Sequence, residues 1–165
     1  MKTSLFAKRG LVAMVVLTAS LVPMFALTGT GTLSLSGKVA PITTITVTAD
    51  ANASALPIGT ATTDLKIATV VELSNSAAGY TVTLAASNGA TLVGLTTGNT
   101  DSLSYSLKYG SNPLTLTNGS ATLTTSLTRS SSAAGSTNIL YISFPAAFLN
   151  PDTYIGSITF TITSP

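Results

Sequence analysis

The sequence predicts an all-β fold in which short antiparallel strands form a sandwich. Serine and threonine make up nearly a third of the 165 residues and alternate with apolar residues over long stretches, as in strands buried on one face. Clusters of Gly, Asn, Pro and Ser separate these stretches at short intervals. Helical periodicity is absent, apart from a short helical turn that residues 146–149 could form.

The N-terminal segment has the layout of a secretory signal peptide. Lys2, Lys8 and Arg9 precede an apolar run over residues 11–27. A basic start followed by such a run is typical of a leader that directs export and is then removed. We therefore expect residues 1–27 to be a signal peptide and the protein to be exported.

Two other interpretations of the apolar run remain open. As a retained membrane anchor the run is short, and Pro23 interrupts its end. As a type IV prepilin leader it would need an acidic residue where Val15 stands. With cleavage near residues 26–30, residues 28–165 are long enough for a single domain with its own core.

Composition argues against an enzyme. The chain has no His, Cys or Trp and only 5 Asp plus Glu, so most side chains used in acid–base, metal or redox chemistry are missing. We predict no catalytic residue, no metal site and no cofactor, and stability without disulfides. Once the three leader charges are removed, four basic side chains face five acidic ones, and this balance gives no reason to expect a nucleic-acid partner.

The first strand candidate after the leader covers residues 33–39. It is followed by Pro41, which cannot donate to a strand ladder, and by a second candidate over residues 42–48. The positions on one side of the first candidate are Leu33, Leu35, Gly37 and Val39. The glycine leaves a gap in this apolar row.

The middle of the chain continues the same alternation. Asn88-Gly89 and Asn118-Gly119 are favoured in tight turns. The strand candidates cover residues 65–73, 80–85, 92–95, 103–109, 114–116, 121–127 and 138–144. With the flanking candidates, eight to ten strands are expected, a number typical of an immunoglobulin-like sandwich.

Within residues 65–73, strict alternation places Leu65, Ile67, Val71 and Leu73 inward. It places Lys66 and Glu72 outward, in solvent. A covalent Lys–Asn crosslink assisted by Glu72 would need all three groups buried together, so none is expected.

The last strand candidate covers residues 154–164, with only Pro165 after it. Its apolar face carries Tyr154, Ile158, Phe160 and Ile162. Unpaired backbone groups and an uncovered apolar face are both costly. We expect this strand to pair with an earlier segment or with another molecule.

Several of these segments resemble a pilin subunit. The chain contains Ile-Thr-Val-Thr-Ala (45–49), Gly-Tyr-Thr-Val-Thr-Leu (79–84) and Leu-Ser-Tyr-Ser-Leu-Lys-Tyr-Gly (103–110), and it closes on Asp-Thr-Tyr-Ile-Gly-Ser-Ile-Thr-Phe-Thr-Ile-Thr (152–163). In these it is similar to chaperone–usher fimbrial pilins, above all the CS1-type (alpha-fimbrial) major pilins, and more broadly to spore coat protein U-like domains. The likeness covers most of residues 42–165.

The resemblance implies a function in fibre assembly. Such pilins have an immunoglobulin-like fold that lacks its last strand, and a periplasmic chaperone fills the resulting groove until the N-terminal extension of another subunit replaces it. Other copies of this chain, a periplasmic chaperone and an outer-membrane usher would be its partners at the cell surface. The donor candidates are then Leu33, Leu35, Gly37 and Val39, and the acceptor-groove and chaperone-contact candidates are Tyr154, Gly156, Ile158, Phe160 and Ile162.

A second interpretation differs in where residues 33–39 pair. In CS1-type pilins the donor extension runs directly into the Ile-Thr-Val-Thr-Ala segment, whereas here an additional strand-like piece precedes Pro41. This piece could instead be the domain's own first strand. The protein would then be a self-complemented monomeric secreted or surface domain with a binding or coat role.

Other reactive groups are better explained as surface residues. Ser34 and Ser36 with Lys38, and Ser106 with Lys108, are the Ser/Lys neighbours, and a solvated strand face accounts for them. Loop oxygens near Asp50 and near Asp101 are too few for calcium, which takes about six to eight ligands.

Overall fold

The computed structural model describes residues 29–165 and shows an all-β protein with antiparallel sheets, as the sequence predicts. Residues 38–165 form one compact unit that contains every strand found in the described residues. The predicted signal peptide, residues 1–27, lies outside the described residues. Within residues 29–165, no helix is long and apolar enough to cross a membrane.

Eleven strands, two of them only two residues long, are present among residues 29–165. They are β1 (Thr43–Ala49), β2 (Thr62–Ser74), β3 (Tyr80–Ala86), β4 (Thr91–Gly94), β5 (Ser102–Ser104), β6 (Ser106–Tyr109), β7 (Asn112–Pro113), β8 (Ser120–Ser126), β9 (Ser136–Phe144), β10 (Tyr154–Ile155) and β11 (Ile158–Thr163). Short 3-10 turns cover Ala51–Ser54 and Ser87–Gly89.

The strands form three sheets whose apolar faces share one core. The largest sheet has the order β1-β2-β9-β6-β7, and two three-stranded sheets have the orders β11-β3-β8 and β10-β4-β5. Leu140 on β9, Leu84 on β3 and Leu103 on β5 are all buried in the same cluster. The sheets therefore cover a common interior, as in a sandwich.

Two of the predicted strands bury their alternating apolar residues. Leu103, Tyr105, Leu107 and Tyr109 are all buried, and so are the inward residues of β9. The predicted strand over residues 103–109 is divided at Tyr105, whose N–H donates to the carbonyl oxygen of Ala90 at 3.0 Å. Its first half, β5, joins one sheet and its second half, β6, joins another.

The predicted orientation of the second half of β2 is wrong. Ile67 and Ala68 are both buried, because the register against β9 shifts between Lys66 and Ala68. Such a bulge inserts one extra residue and reverses the alternation beyond it. Glu72 is consequently buried, with 1% of its surface exposed, whereas Val71 and Leu73 are only half-buried on the other face.

The predicted last strand is also divided in two. β10 pairs with β4, and β11 pairs with β3 in another sheet. Gly156 and Ser157 form the break between them, and a Cβ atom on Gly156 would lie 2.9 Å from the Leu92 Cδ2 atom. The chain therefore changes sheet where only glycine fits without displacing a core side chain.

Two predicted strands are not formed. Residues 33–39 have no regular secondary structure, and the first strand of the described residues begins at Thr43. Residues 114–116 follow β7 without forming a strand, although the Leu114 N–H still donates to the Leu107 carbonyl oxygen at 2.8 Å. The predicted helical turn over residues 146–149 is not formed either.

The two Asn-Gly turns have different outcomes. Asn118 and Gly119 have φ angles of 50° and 77° and connect the bridged pair Thr117 and Ser120, as in a tight hairpin turn. Asn88 and Gly89 also have positive φ angles, but they connect β3 to β4, which lie in different sheets. Here the turn moves the chain between sheets instead of closing a hairpin.

Candidate functional site

Two edge strands, β1 and β11, lie side by side at one edge of the two sheets. Within the described residues, β1 pairs only with β2, and β11 pairs only with β3. The two strands meet at one end, where the hydroxyls of Thr43 and Ser164 are 3.0 Å apart. Each strand therefore has one edge with no strand partner, and the two edges border the same gap.

Toward the other end of β1 the gap becomes an apolar furrow, which we call the β1–β11 furrow. It has a volume of about 200 Å³. Its walls and floor are formed by Val47, Ala49, Ala53, Leu56, Ile67, Ala68, Leu92, Tyr105, Leu140, Ile142, Gly156, Ile158 and Phe160. The floor thus consists of the buried core itself, reached between the two edge strands.

The walls of the furrow leave apolar surface in water. Val47 on β1 is 45% exposed, and Ile158 and Phe160 on β11 are only half-buried, although the residues beneath them are buried. The Thr residues that alternate with them on β11 are exposed. The wall side chains of β11 therefore face the furrow with their hydroxyl neighbours turned outward, which fits an added strand with matching alternation.

The size of the furrow limits what it can hold. An apolar cavity of about 150 Å³ accommodates one benzene molecule. A furrow of about 200 Å³ therefore accepts one or two aliphatic side chains from an inserted segment without separation of the walls. A reacting small molecule would find no titratable side chain among the lining residues apart from Tyr105.

The structure brings together three of the five predicted acceptor residues. Gly156, Ile158 and Phe160 line the furrow. Ile162 is half-buried further along β11, toward Ser164. Tyr154 lies on β10 in another sheet, where its hydroxyl donates to the Asn150 carbonyl oxygen at 2.9 Å.

The predicted donor residues lie in the segment that forms no strand. Leu33, Leu35 and Val39 are 82%, 87% and 83% exposed. A Cβ atom added at Gly37 would have no heavy atom within 4 Å. This segment therefore presents an alternating row of uncovered aliphatic side chains.

The sequence does not predict the wall of the furrow that lies opposite β11. It consists of Val47 and Ala49 on β1 and of Ala53 and Leu56 in and after the first 3-10 turn. Asp50 caps this turn by accepting a hydrogen bond from the Asn52 N–H at 3.2 Å. Alternation shows which side of β1 is apolar, but nothing local shows that its edge is left without a partner.

A buried polar group lies behind the β11 wall. The Phe160 ring packs against the Tyr109 ring, with centroids 6.4 Å apart, and the Tyr109 hydroxyl donates to Glu72 Oε1. Thr124 Oγ1 donates to the same oxygen at 2.9 Å, whereas Glu72 Oε2 has no hydrogen-bond partner. Burial, followed by the bond to Glu72, raises the pKa of Tyr109 well above its usual range.

A second polar network fixes the chain just before β10. The Asp152 carboxylate accepts from Asn99 Nδ2 at 2.7 Å and from the N–H and hydroxyl of Thr96, both at 2.9 Å. The hydrogen bond from Asn99, and then that from the Thr96 backbone, lower the pKa of Asp152 to about 2. This network ties the β10 segment to the loop after β4.

Two lysines are paired with other carboxylates. Lys66 lies 3.6 Å from Asp50, and Lys108 forms an ion pair with Asp64. Glu72 is buried, contrary to the prediction, but neither of these two lysines forms an ion pair with it. Lys108 also lies 4.8 Å from the centre of the Tyr141 ring, a cation–π contact at the surface.

Comparison with known proteins yields no family. No protein-family model matches the chain, and no curated protein matches it at a significant level. The furrow and the exposed segment before β1 are therefore the features that point to a function.

Proposed function

We propose that the protein is an exported structural subunit that polymerises by strand addition, each copy inserting residues 33–39 into the β1–β11 furrow of another copy. The observation that carries this proposal is an apolar furrow between two unpaired strand edges, in a chain that also presents an alternating aliphatic segment. In strand addition, backbone hydrogen bonds supply affinity and alternate side chains fill pockets. The unpaired edges of β1 and β11 offer the backbone groups for hydrogen bonds, and the lining residues of the furrow offer the pocket for side chains.

The burial energy of an inserted segment would be a substantial fraction of the stability of a domain. Burial of an aliphatic side chain stabilises by about 1.5–3 kcal/mol. Two such side chains in the furrow would contribute about 3–6 kcal/mol before the entropy of ordering the segment, with ladder hydrogen bonds in addition. The stability of a whole domain is about 5–15 kcal/mol, so each subunit would depend substantially on the strand that it receives.

The wider setting belongs to the same proposal. The resemblance to chaperone–usher pilins implies three further features that we include in the proposal. These are an immunoglobulin-like subunit without its last strand, a leader over residues 1–27 and a fibre at the cell surface. Before assembly, a periplasmic chaperone would cover the furrow, and an outer-membrane usher would export the subunits. Adhesion is the role proposed for the fibre.

Matched substitutions in the donor segment test the proposal. The full chain, expressed with its own leader, is expected to form a ladder of heat-resistant oligomers on gels. Leu35→Asp should abolish the ladder, because a carboxylate would have to enter the apolar furrow. Ser36→Asp, one residue further on and on the opposite face of the segment, should leave it unchanged.

Two results would count against polymerisation by this route. One is a ladder that survives Leu35→Asp as well as Ser36→Asp. The other is a chain that remains a stable monomer with residues 33–39 paired in its own domain. The second result would establish the self-complemented secreted domain instead.

A further inference from the structure

We propose that Asn75 is a positioning residue that opposes a reversal of the chain at residues 40–42, so that the donor segment fills the furrow of another copy instead of the furrow of the same chain. This inference rests on the proposed function and adds to it a control over which furrow is filled. It concerns the short stretch, residues 40–42, where the donor segment joins β1.

Asn75 holds this stretch through both arms of its side-chain amide. Its Oδ1 atom accepts from the Ile42 N–H at 2.8 Å, and its Nδ2 atom donates to the Ala40 carbonyl oxygen at 2.8 Å. Its own backbone N–H donates to the Ile42 carbonyl oxygen at 3.0 Å. Three hydrogen bonds from one residue therefore fix the backbone on both sides of Pro41.

The sequence explains why a side chain takes this role. The ladder between β1 and β2 ends at the pair Thr43 and Ser74, and Pro41 has no N–H with which to extend it. Proline also disfavours the helical region for the preceding residue, which favours an extended backbone at Ala40. The amide of Asn75 substitutes for the missing rungs and keeps residues 40–42 in line with β1.

This direction matters because of where the furrow lies. Residues 40–42 join β1 at Thr43, the end at which the Thr43 and Ser164 hydroxyls close the gap. The furrow is formed beside Val47 and Ala49, toward the other end of β1. To fill its own furrow, the chain would have to reverse at residues 40–42 and run back along β1. That reversal breaks the hydrogen bonds of Asn75.

Disulfide crosslinks can show whether the donor segment fills the furrow of its own chain or that of another copy. Introduced cysteines would be the only ones, because the chain contains none. Leu33→Cys combined with Val47→Cys introduces one thiol in the donor segment and one in the furrow wall. After oxidation of the exported full chain, a non-reducing gel separates bonds within one chain from bonds between chains. We expect bonds between chains to dominate.

Adding Asn75→Ala should increase the ratio of intrachain to interchain bonds about tenfold, since two side-chain hydrogen bonds no longer oppose the reversal. Asn75→Asp, which keeps an acceptor for Ile42 but loses the donor to Ala40, should give an intermediate ratio. Asn99→Ala is the matched control. It also removes an asparagine bonded through both arms of its amide, since Oδ1 accepts from the Asp101 N–H at 3.0 Å and Nδ2 donates to Asp152 at 2.7 Å, but it does not line the furrow and should not change the ratio.

The outcomes separate this inference from the proposed function. An Asn75→Ala ratio equal to that of the parent, with crosslinks still between chains, overturns the role of Asn75 and leaves strand donation standing. An equal rise in the Asn99→Ala control also overturns it, because the effect would then reflect general loosening. A parent chain that forms no crosslinks between chains overturns strand donation and this inference together.

Discussion

At the residue scale, the least expected feature is Glu72, a carboxylate buried in a chain with few charges. One of its oxygens accepts two hydrogen bonds, from Tyr109 and Thr124, and the other accepts none. A buried polar group without a partner is costly, so the arrangement stabilises the fold through one oxygen and weakens it through the other.

Substitution of Glu72 should separate these two effects. Glu72→Gln keeps an acceptor for Tyr109 and Thr124 at nearly the same side-chain volume, so its free energy of unfolding should stay within about 1 kcal/mol of the parent. Glu72→Ala removes the acceptor of the Tyr109 hydroxyl from the buried interior and should lower the free energy of unfolding by about 1–3 kcal/mol. Urea denaturation of both variants provides the measurement. Equal losses in the two would contradict this assignment.

The stability of the domain should depend on pH through Asp152. Its pKa is lowered to about 2 in the folded state from an ordinary value of 3.8, so the unfolded chain binds more protons between these two values. The stabilising contribution is therefore present above about pH 4 and is lost as the pH falls toward 2. Asp152→Asn should flatten the decline of the melting temperature over this interval. A decline as steep as that of the parent chain would refute the contribution.

At the element scale, β2 shows what alternation can and cannot predict. The existence of the strand follows from its pattern, and the inward orientation of Ile67 is confirmed. The bulge between Lys66 and Ala68 leaves no mark in the sequence, because an extra residue in one strand is defined only by its partner in the ladder. Glu72 was consequently assigned to the wrong face.

For the terminal strand, too, alternation predicts the apolar face but not which sheet each part joins. The alternation of Ile158, Phe160 and Ile162 predicts β11 and its apolar face, and both are found. Pattern does not reveal that Tyr154 and Ile155 pair in a different sheet, because sheet membership depends on contacts far apart in sequence. The sequence pattern does not predict the furrow either, because its two walls, β1 and β11, lie at opposite ends of the domain's sequence.

The turn between β2 and β3 depends on one glycine. Gly79 has a φ angle of 88°, and a Cβ atom there would lie 1.9 Å from the Ser126 carbonyl oxygen. Gly79→Ala should therefore destabilise the domain by about 1–3 kcal/mol from backbone strain, with a further loss from the clash against β8. Gly59→Ala, where a Cβ atom meets nothing within 4 Å, is the control and should be close to neutral in thermal unfolding.

At the scale of the whole molecule, the fold is an all-β domain whose core can be reached from one side. Most edges of a sheet are protected by charge, twist or cover, whereas β1 and β11 border an apolar gap. The exposed Leu33, Leu35 and Val39 supply side chains of the kind that this gap lacks. The proposed strand addition joins these two observations, since the exposed segment of one copy would fill the gap of another.

Hydrogen exchange at β11 tests that proposal most directly. In assemblies of the full chain, the backbone amides over residues 158–163 should exchange slowly, because an inserted strand pairs with the edge that is otherwise unpaired. In the Leu35→Asp variant the amides on that edge should exchange quickly, while those of β9 in the core stay protected in both. Equal exchange of β11 in the assembled chain and in the variant would contradict strand addition.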